Sequence, residues 1–242
     1  MNLSRRTLLA GIALPLLAAG RTAQAAIAHY PLHCDPELRP ALDAAALAFL
    51  AKTEIRVHPL PTSDGLMAPQ IGHVAQSDIV MTSPETLAAL AAIGHDVADA
   101  PHPKFRGRLV LAALAATSDS DAKGGPIAAP DAVPGARFTS TSVLAGMGLA
   151  RALIQGTIDT GEAAAIVADG GARSGLMTMM DVKATPGLRV VAEVPDSVQP
   201  ALVYVATTTQ SPRRSQPESF VSFLAGPEGT AILVAHGLEP VR

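Results

Sequence analysis

Tryptophan is absent, cysteine occurs once, and aromatic residues make up only 3% of this 242-residue chain. A lone Cys34 excludes an internal disulfide. The shortage of rings argues against a sugar ligand, because sugar sites stack their faces on aromatic side chains. Excess positive charge is missing too. The formal net charge is −3, which argues against nucleic acid and against an anionic membrane surface as partners. None of the spacings G-x-S-x-G, H-E-x-x-H, C-x-x-C or the P-loop occurs. No nucleophile–base pair is visible, so neither enzymatic activity nor a resident cofactor is expected. Asp169-Gly170-Gly171 lacks the G-x-G-x-x-G frame and reads as a turn.

What is present begins at the N-terminus. Arg5 and Arg6 lead into an apolar run from Leu8 to Ala19, and small residues follow, ending in Ala23-Gln24-Ala25. That order is the one found in a cleavable export signal. The run is roughly 12 residues, short of the ~20 that a spanning helix needs. Ser4 before the arginine pair, Leu8-Leu9 after it and Arg21 near the cleavage site resemble a twin-arginine signal. A general secretory signal and an uncut anchor are the alternatives. Residues 1–25 are therefore expected to be removed and the mature chain to reside in the periplasm, with no membrane span. Losing Arg5, Arg6 and Arg21 leaves 15 basic residues of the 18 against 21 acidic ones, a net charge of −6.

The mature chain reads as alternating strands and helices. Strands are expected at Ile27–His33, Glu54–Leu60, Asp78–Thr82, Leu109–Ala115, Pro126–Ala129, Ala163–Ala168, Leu188–Val194 and Ala201–Thr207. Helices are expected from Asp35-Pro36 to about Lys52, up to Gly72, from Ser83-Pro84-Glu85 to Gly94, over Thr141–Gly156, over Pro217–Leu224 and over Pro227–His236. Residues 117–126, rich in Ser, Asp and Gly, read as a surface loop. Such alternation means an α/β fold with parallel sheets covered on both faces.

Six of the seven histidines (His29, His33, His58, His73, His95, His102) lie in the N-terminal half. His29 and His33 are about 13 Å apart along a strand, too far to share one ion. His33, Cys34 and a remote His73 are weak metal candidates. Cys34 also fits a small buried core residue.

Four ordered segments resemble the periplasmic molybdate-binding proteins of ABC transporters, within the type II solute-binding superfamily. Gln70–Ser83 is similar to that family's "QI-x-x-GAPAD-V-F-I-S-A", and Ala129–Phe138 to its "DP-x-x-VPAG-x-Y". Gly161–Val167 is similar to "GEADAGIVY", and Phe220–Pro240 to its closing "F-x-x-FL" segment. The resemblance implies two α/β lobes, each a mostly parallel sheet flanked by helices, joined by the crossovers Leu109–Ala115 and Ala201–Thr207. Lobe one would comprise 26–108 plus 208–242, and lobe two 109–207. It also implies a monomer that closes on a small oxyanion such as molybdate or tungstate and delivers it to an ABC permease. The ligand positions would be Asp35, Ser63, Asp64, Ser83, Gly135, Arg137, Phe138 and Asp169. Asp35 stands near the family's first Ser, and Asp169 near its Tyr after "GIV". These carboxylates keep two alternatives open. One is the same fold binding a transition-metal ion or another small solute, and the other is an accessory protein for a periplasmic enzyme.

Overall fold

A computed structural model describes residues 29–62, 67, 71, 78–95, 102–130, 138–209 and 215–241. The expected export signal, and Ser63, Asp64, His73, Gly135 and Arg137, lie outside the described residues.

The first sheet is built from β1 (His29–Cys34), β2 (Arg56–Pro61), β3 (Ile79–Thr82), β4 (Lys104–Gly107), β10 (Leu202–Thr208) and β11 (Glu239–Pro240), in the order β11-β4-β10-β3-β1-β2. The second contains β5 (Leu109–Leu114), β6 (Ile127–Pro130), β7 (Ile154–Thr157), β8 (Ser174–Thr178) and β9 (Leu188–Glu193), in the order β7-β6-β8-β5-β9. Each sheet is mixed rather than mostly parallel. β2-β1-β3 and β7-β6-β8 are parallel trios. Antiparallel strands complete both sheets. In each sheet the strand beside the trio is the one that arrives from the other sheet: β10 in the first, β5 in the second.

The helices are α1 (Arg39–Thr53), α2 (Pro84–Ala92), α3 (Asp119–Gly124), α4 (Ser140–Gly146), α5 (Thr160–Ala168), α6 (Met179–Ala184), α7 (Ser215–Ala225) and α8 (Pro227–Ala235). A 3-10 turn at Pro36–Leu38 precedes α1. The N-terminal strands, the α2 cap and the two C-terminal helices follow the sequence expectation. Several segments do not. Residues 119–124 form α3 because Ser118 accepts from the Asp121 amide at 3.1 Å. The expected helix over Thr141–Gly156 stops at Gly146, and Ile154–Thr157 becomes β7. Ala163–Ala168, expected as a strand, lies in α5. Its amino end is set by Asp159, whose carboxylate accepts from the Glu162 amide at 2.8 Å. The strand of that region is β8, five buried residues further on.

Both sheets are covered on both faces. In β5, Leu109 and Leu111 face one apolar cluster while Val110 and Ala112 face another, as alternation along a strand requires. The larger cluster runs from Leu32, Leu42 and Phe49 beside the first sheet to Leu111, Ile127 and Leu176 in the second. Phe49 packs edge-on against Phe220 at 5.2 Å, tying α1 to α7. The chain passes to the second sheet at Arg108 and returns between β9 and β10. Ala201–Thr207, expected as a strand and as one of the two crossovers, is almost wholly β10, which follows the return from the second sheet and pairs with β3 and β4 of the first.

Candidate functional site

Parallel strands followed by helices place their carboxyl ends and the helix N-termini at one end of a sheet, and crevices form there. β1, β2 and β3 supply three such ends; β6, β7 and β8 supply three more. The end of β1 reaches the second set: the 3-10 turn after β1 touches both α5 and α6, which follow β7 and β8. Met179, first residue of α6, lies against Gly237 of the first lobe, where a Cβ would come within 3.0 Å of its backbone.

Asp35 leaves β1 as a nearly buried carboxylate, 2% exposed. It stands at a helix start in extended backbone, yet makes no side-chain cap bond. Its Oδ1 accepts instead from the Thr82 hydroxyl at 2.8 Å. Cys34 pairs with Met81, so Thr82 is the residue that the parallel register carries alongside Asp35. A carboxylate held out of water needs such donors. Two residues on, the Tyr204 hydroxyl donates to Glu37 Oε1 at 2.8 Å. Ser83 ends β3 and caps α2: it accepts from the Thr86 amide at 3.1 Å, with a 2.9 Å bond from its hydroxyl to the Thr86 hydroxyl. Asp35 and Ser83 are thus brought to adjacent strand ends.

His33 and Cys34 separate on opposite faces of β1. Cys34 sits in the larger core cluster, and burial pushes its thiol well above the usual range, reinforced by Asp35 and Glu37. His33 Nδ1 lies 3.2 Å from the Thr62 hydroxyl, and burial lowers its pKa. Strand alternation keeps these two from sharing an ion. Among the described residues no group of three or more His, Cys, Asp or Glu is arranged to hold a metal.

In the second lobe, β8 ends at Thr178, which forms a capping box with Asp181. The Thr178 hydroxyl and amide donate to Asp181 Oδ2 at 2.6 and 2.9 Å. Thr178 Oγ1 also accepts from the Asp181 amide at 3.1 Å. Burial raises the Asp181 pKa above its ordinary value, opposed by hydrogen bonds from Thr178 and Thr160. Near it, β7 ends at Thr157, and Asp159 two residues on caps α5. Phe138, half-buried, packs against the larger core cluster. Asp169 does not join this end. It is exposed at the carboxyl terminus of α5, toward the amino end of β8. The resemblance had set "GIV" on Ile166-Val167, which are helical. The strand of this region, Ser174–Thr178, ends instead on Thr178.

Thr82, Glu37, Thr178 and Asp181 were therefore missed by the sequence reading. Thr178-Met179-Met180-Asp181 carries the S/T-x-x-D/E capping signature after an apolar run, so that pair was readable. Nothing local marks Thr82 as the partner of Asp35, because they meet only through strand pairing.

The two passages between sheets are tied together. Arg108 Nη2 bonds Asp196 Oδ1 at 2.8 Å, and the Met179 amide donates to the Arg108 carbonyl at 2.8 Å. No helix among the described residues is long and apolar enough to cross a membrane.

Solved structures share this architecture. The substrate-binding domain of a putative molybdenum ABC transporter from Clostridium difficile has a TM-score of 0.70 at 17% identity, covering 89% of this chain and 100% of that one. The periplasmic molybdate-binding protein of Azotobacter vinelandii has 0.69 at 20%, covering 88% and 99%. The sulfate-binding protein SubI of Mycobacterium tuberculosis has 0.68 at 14%, covering 88% and 87%. The fold is that of two-lobed solute-binding proteins. A comparison with curated proteins returns no match. The sequence itself matches the family described as bacterial extracellular solute-binding protein over residues 32–239, and the chain belongs to that family.

Proposed function

We propose that this chain is the receptor of an ABC importer, exported to the periplasm by the twin-arginine route, where it closes on a small oxyanion and hands it to a permease. The observation that supports the reading is that the 3-10 turn after β1 of the first sheet touches α5 and α6, the helices that start after β7 and β8 of the second. Helix N-termini offer free N–H groups and a partial positive charge to an anion. Two of the three solved proteins of this fold described above are a molybdate-binding and a sulfate-binding protein, and both ligands are tetrahedral dianions. Ser63, Asp64, Gly135 and Arg137 remain proposed ligand positions beside Asp35, Ser83 and Phe138. Thr178 takes the place first given to Asp169.

A second reading keeps the cleft and changes its ligand to a less anionic solute or a cation. The buried carboxylates of Asp35 in one lobe and Asp181 in the other favour it. Isothermal titration calorimetry of the mature protein with molybdate, tungstate, sulfate and phosphate separates the two. Saturable one-to-one binding of an oxyanion supports the first, and silence to all four rejects it.

A further inference from the structure

Two consecutive residues of α6, the helix that follows β8 of the second sheet, lie against glycines of the first lobe. Met179 lies against Gly237, and its amide donates to the Arg108 carbonyl at 2.8 Å. Met180 lies against Gly107, the last residue of β4. A Cβ added at Gly107 would stand 3.3 Å from Met180 Cε and 3.1 Å from Tyr204 Cε2. The Gly107 backbone is not left-handed, so no turn demands glycine here. The close approach of the two side chains does. Met180 is 3% exposed, Tyr204 is fully buried, and both belong to the larger core cluster.

Each partner in this contact is held from behind. Tyr204 stands on β10, opposite Phe105 of β4, and its hydroxyl is bound to Glu37 of the 3-10 turn. On the other side, the capping box of Thr178 and Asp181 fixes the first turn of α6 to the end of β8. Gly107 directly precedes Arg108, where the chain passes to the second sheet. A contact beside that passage sets the angle between the lobes, and close-packed side chains hold one spacing rather than a range.

We propose that Met180 is a positioning residue: its seat on Gly107 and Tyr204 fixes how closely the lobes approach, and so the width of the cleft between Asp35 and Thr178. An unbranched thioether suits the irregular gap between a ring and a bare backbone. The proposal rests on the cleft lying between the lobes and not on which ligand fills it.

Pulsed electron–electron resonance between two spin labels measures the spacing with no ligand added. Leu47→Cys on α1 and Leu153→Cys beside β7 place one label on each lobe, at positions 69% and 71% exposed. Cys34, the sole native cysteine, is fully buried and stays unlabelled. Met180→Ala should shift or broaden the parent's distance distribution. Gly107→Ala, which wedges a methyl group into the contact, should shift it. Met180→Leu, close in volume, should keep the parent's distribution. Leu90→Ala removes a buried side chain of α2 in another apolar cluster, and should lower the melting temperature without moving the distance. Should circular dichroism show Met180→Ala unfolded, Gly107→Ala decides alone. A parent-like distribution in the deciding variant overturns the proposal, and so does an equal change in Leu90→Ala.

Discussion

At the scale of single residues, the first lobe turns on how the Asp35 carboxyl group is hydrogen-bonded while nearly buried. Its Thr82 partner is itself fully buried. Thr82→Val keeps the shape and removes the hydroxyl donor. It should cost about 1–3 kcal/mol, measured by urea unfolding, whereas Thr82→Ser should cost much less. His33 gives a pH dependence of known sign. Burial lowers its pKa below 6.5, so the folded chain holds it neutral where the unfolded chain takes up a proton. Its contribution is present above pH 6.5 and is lost as pH falls below that value. His33→Gln should flatten this part of the stability profile relative to the parent protein. The two residues were unequally legible. Asp35 was visible at a strand-to-helix junction, but its expected cap role gave way to a cross-strand bond. Asp169 was placed in the site only because Ile166-Val167 was read as strand.

At the scale of elements, caps and periodicity located the helices whose signals were unambiguous. Ser83-Pro84-Glu85 opened α2 as its chemistry required, and Gly237 followed α8 as a stop. Gly237 has φ +99°, and a Cβ there would press on the Met179 backbone. Gly237→Ala should therefore destabilise by more than the ~1 kcal/mol typical of an unfavourable backbone conformation alone, and lower the melting temperature. The failures share a physical origin. A short apolar run such as Ala163–Ala168 has no decisive period, so helix and strand compete. Here Asp159, capping through the Glu162 amide, decides for helix. Ser118 and Asp121 use the same code for α3, in a stretch whose polarity suggested a loop. β4 was missed because Lys104–Gly107 alternates charged and buried residues over only four positions.

At the scale of the whole molecule, two sheets of like topology touch where the turn after β1 meets α5 and α6, and that arrangement makes a ligand cleft the natural reading. The fold class was legible because alternating strands and helices leave few architectures open. The antiparallel half of each sheet was not, since it depends on which strand arrives from the other lobe. The arginine pair carries a separate expectation. Replacing Arg5 and Arg6 with Lys should leave the full-length precursor in the cytoplasmic fraction, whereas a general secretory signal would still export it. The central claim is that the cleft receives a small oxyanion. Calorimetric titration of the mature protein with molybdate tests it most directly, with tungstate, sulfate and phosphate run beside it. The expected result is saturable one-to-one binding of molybdate and tungstate. No heat and no thermal stabilisation with any of the four would contradict it.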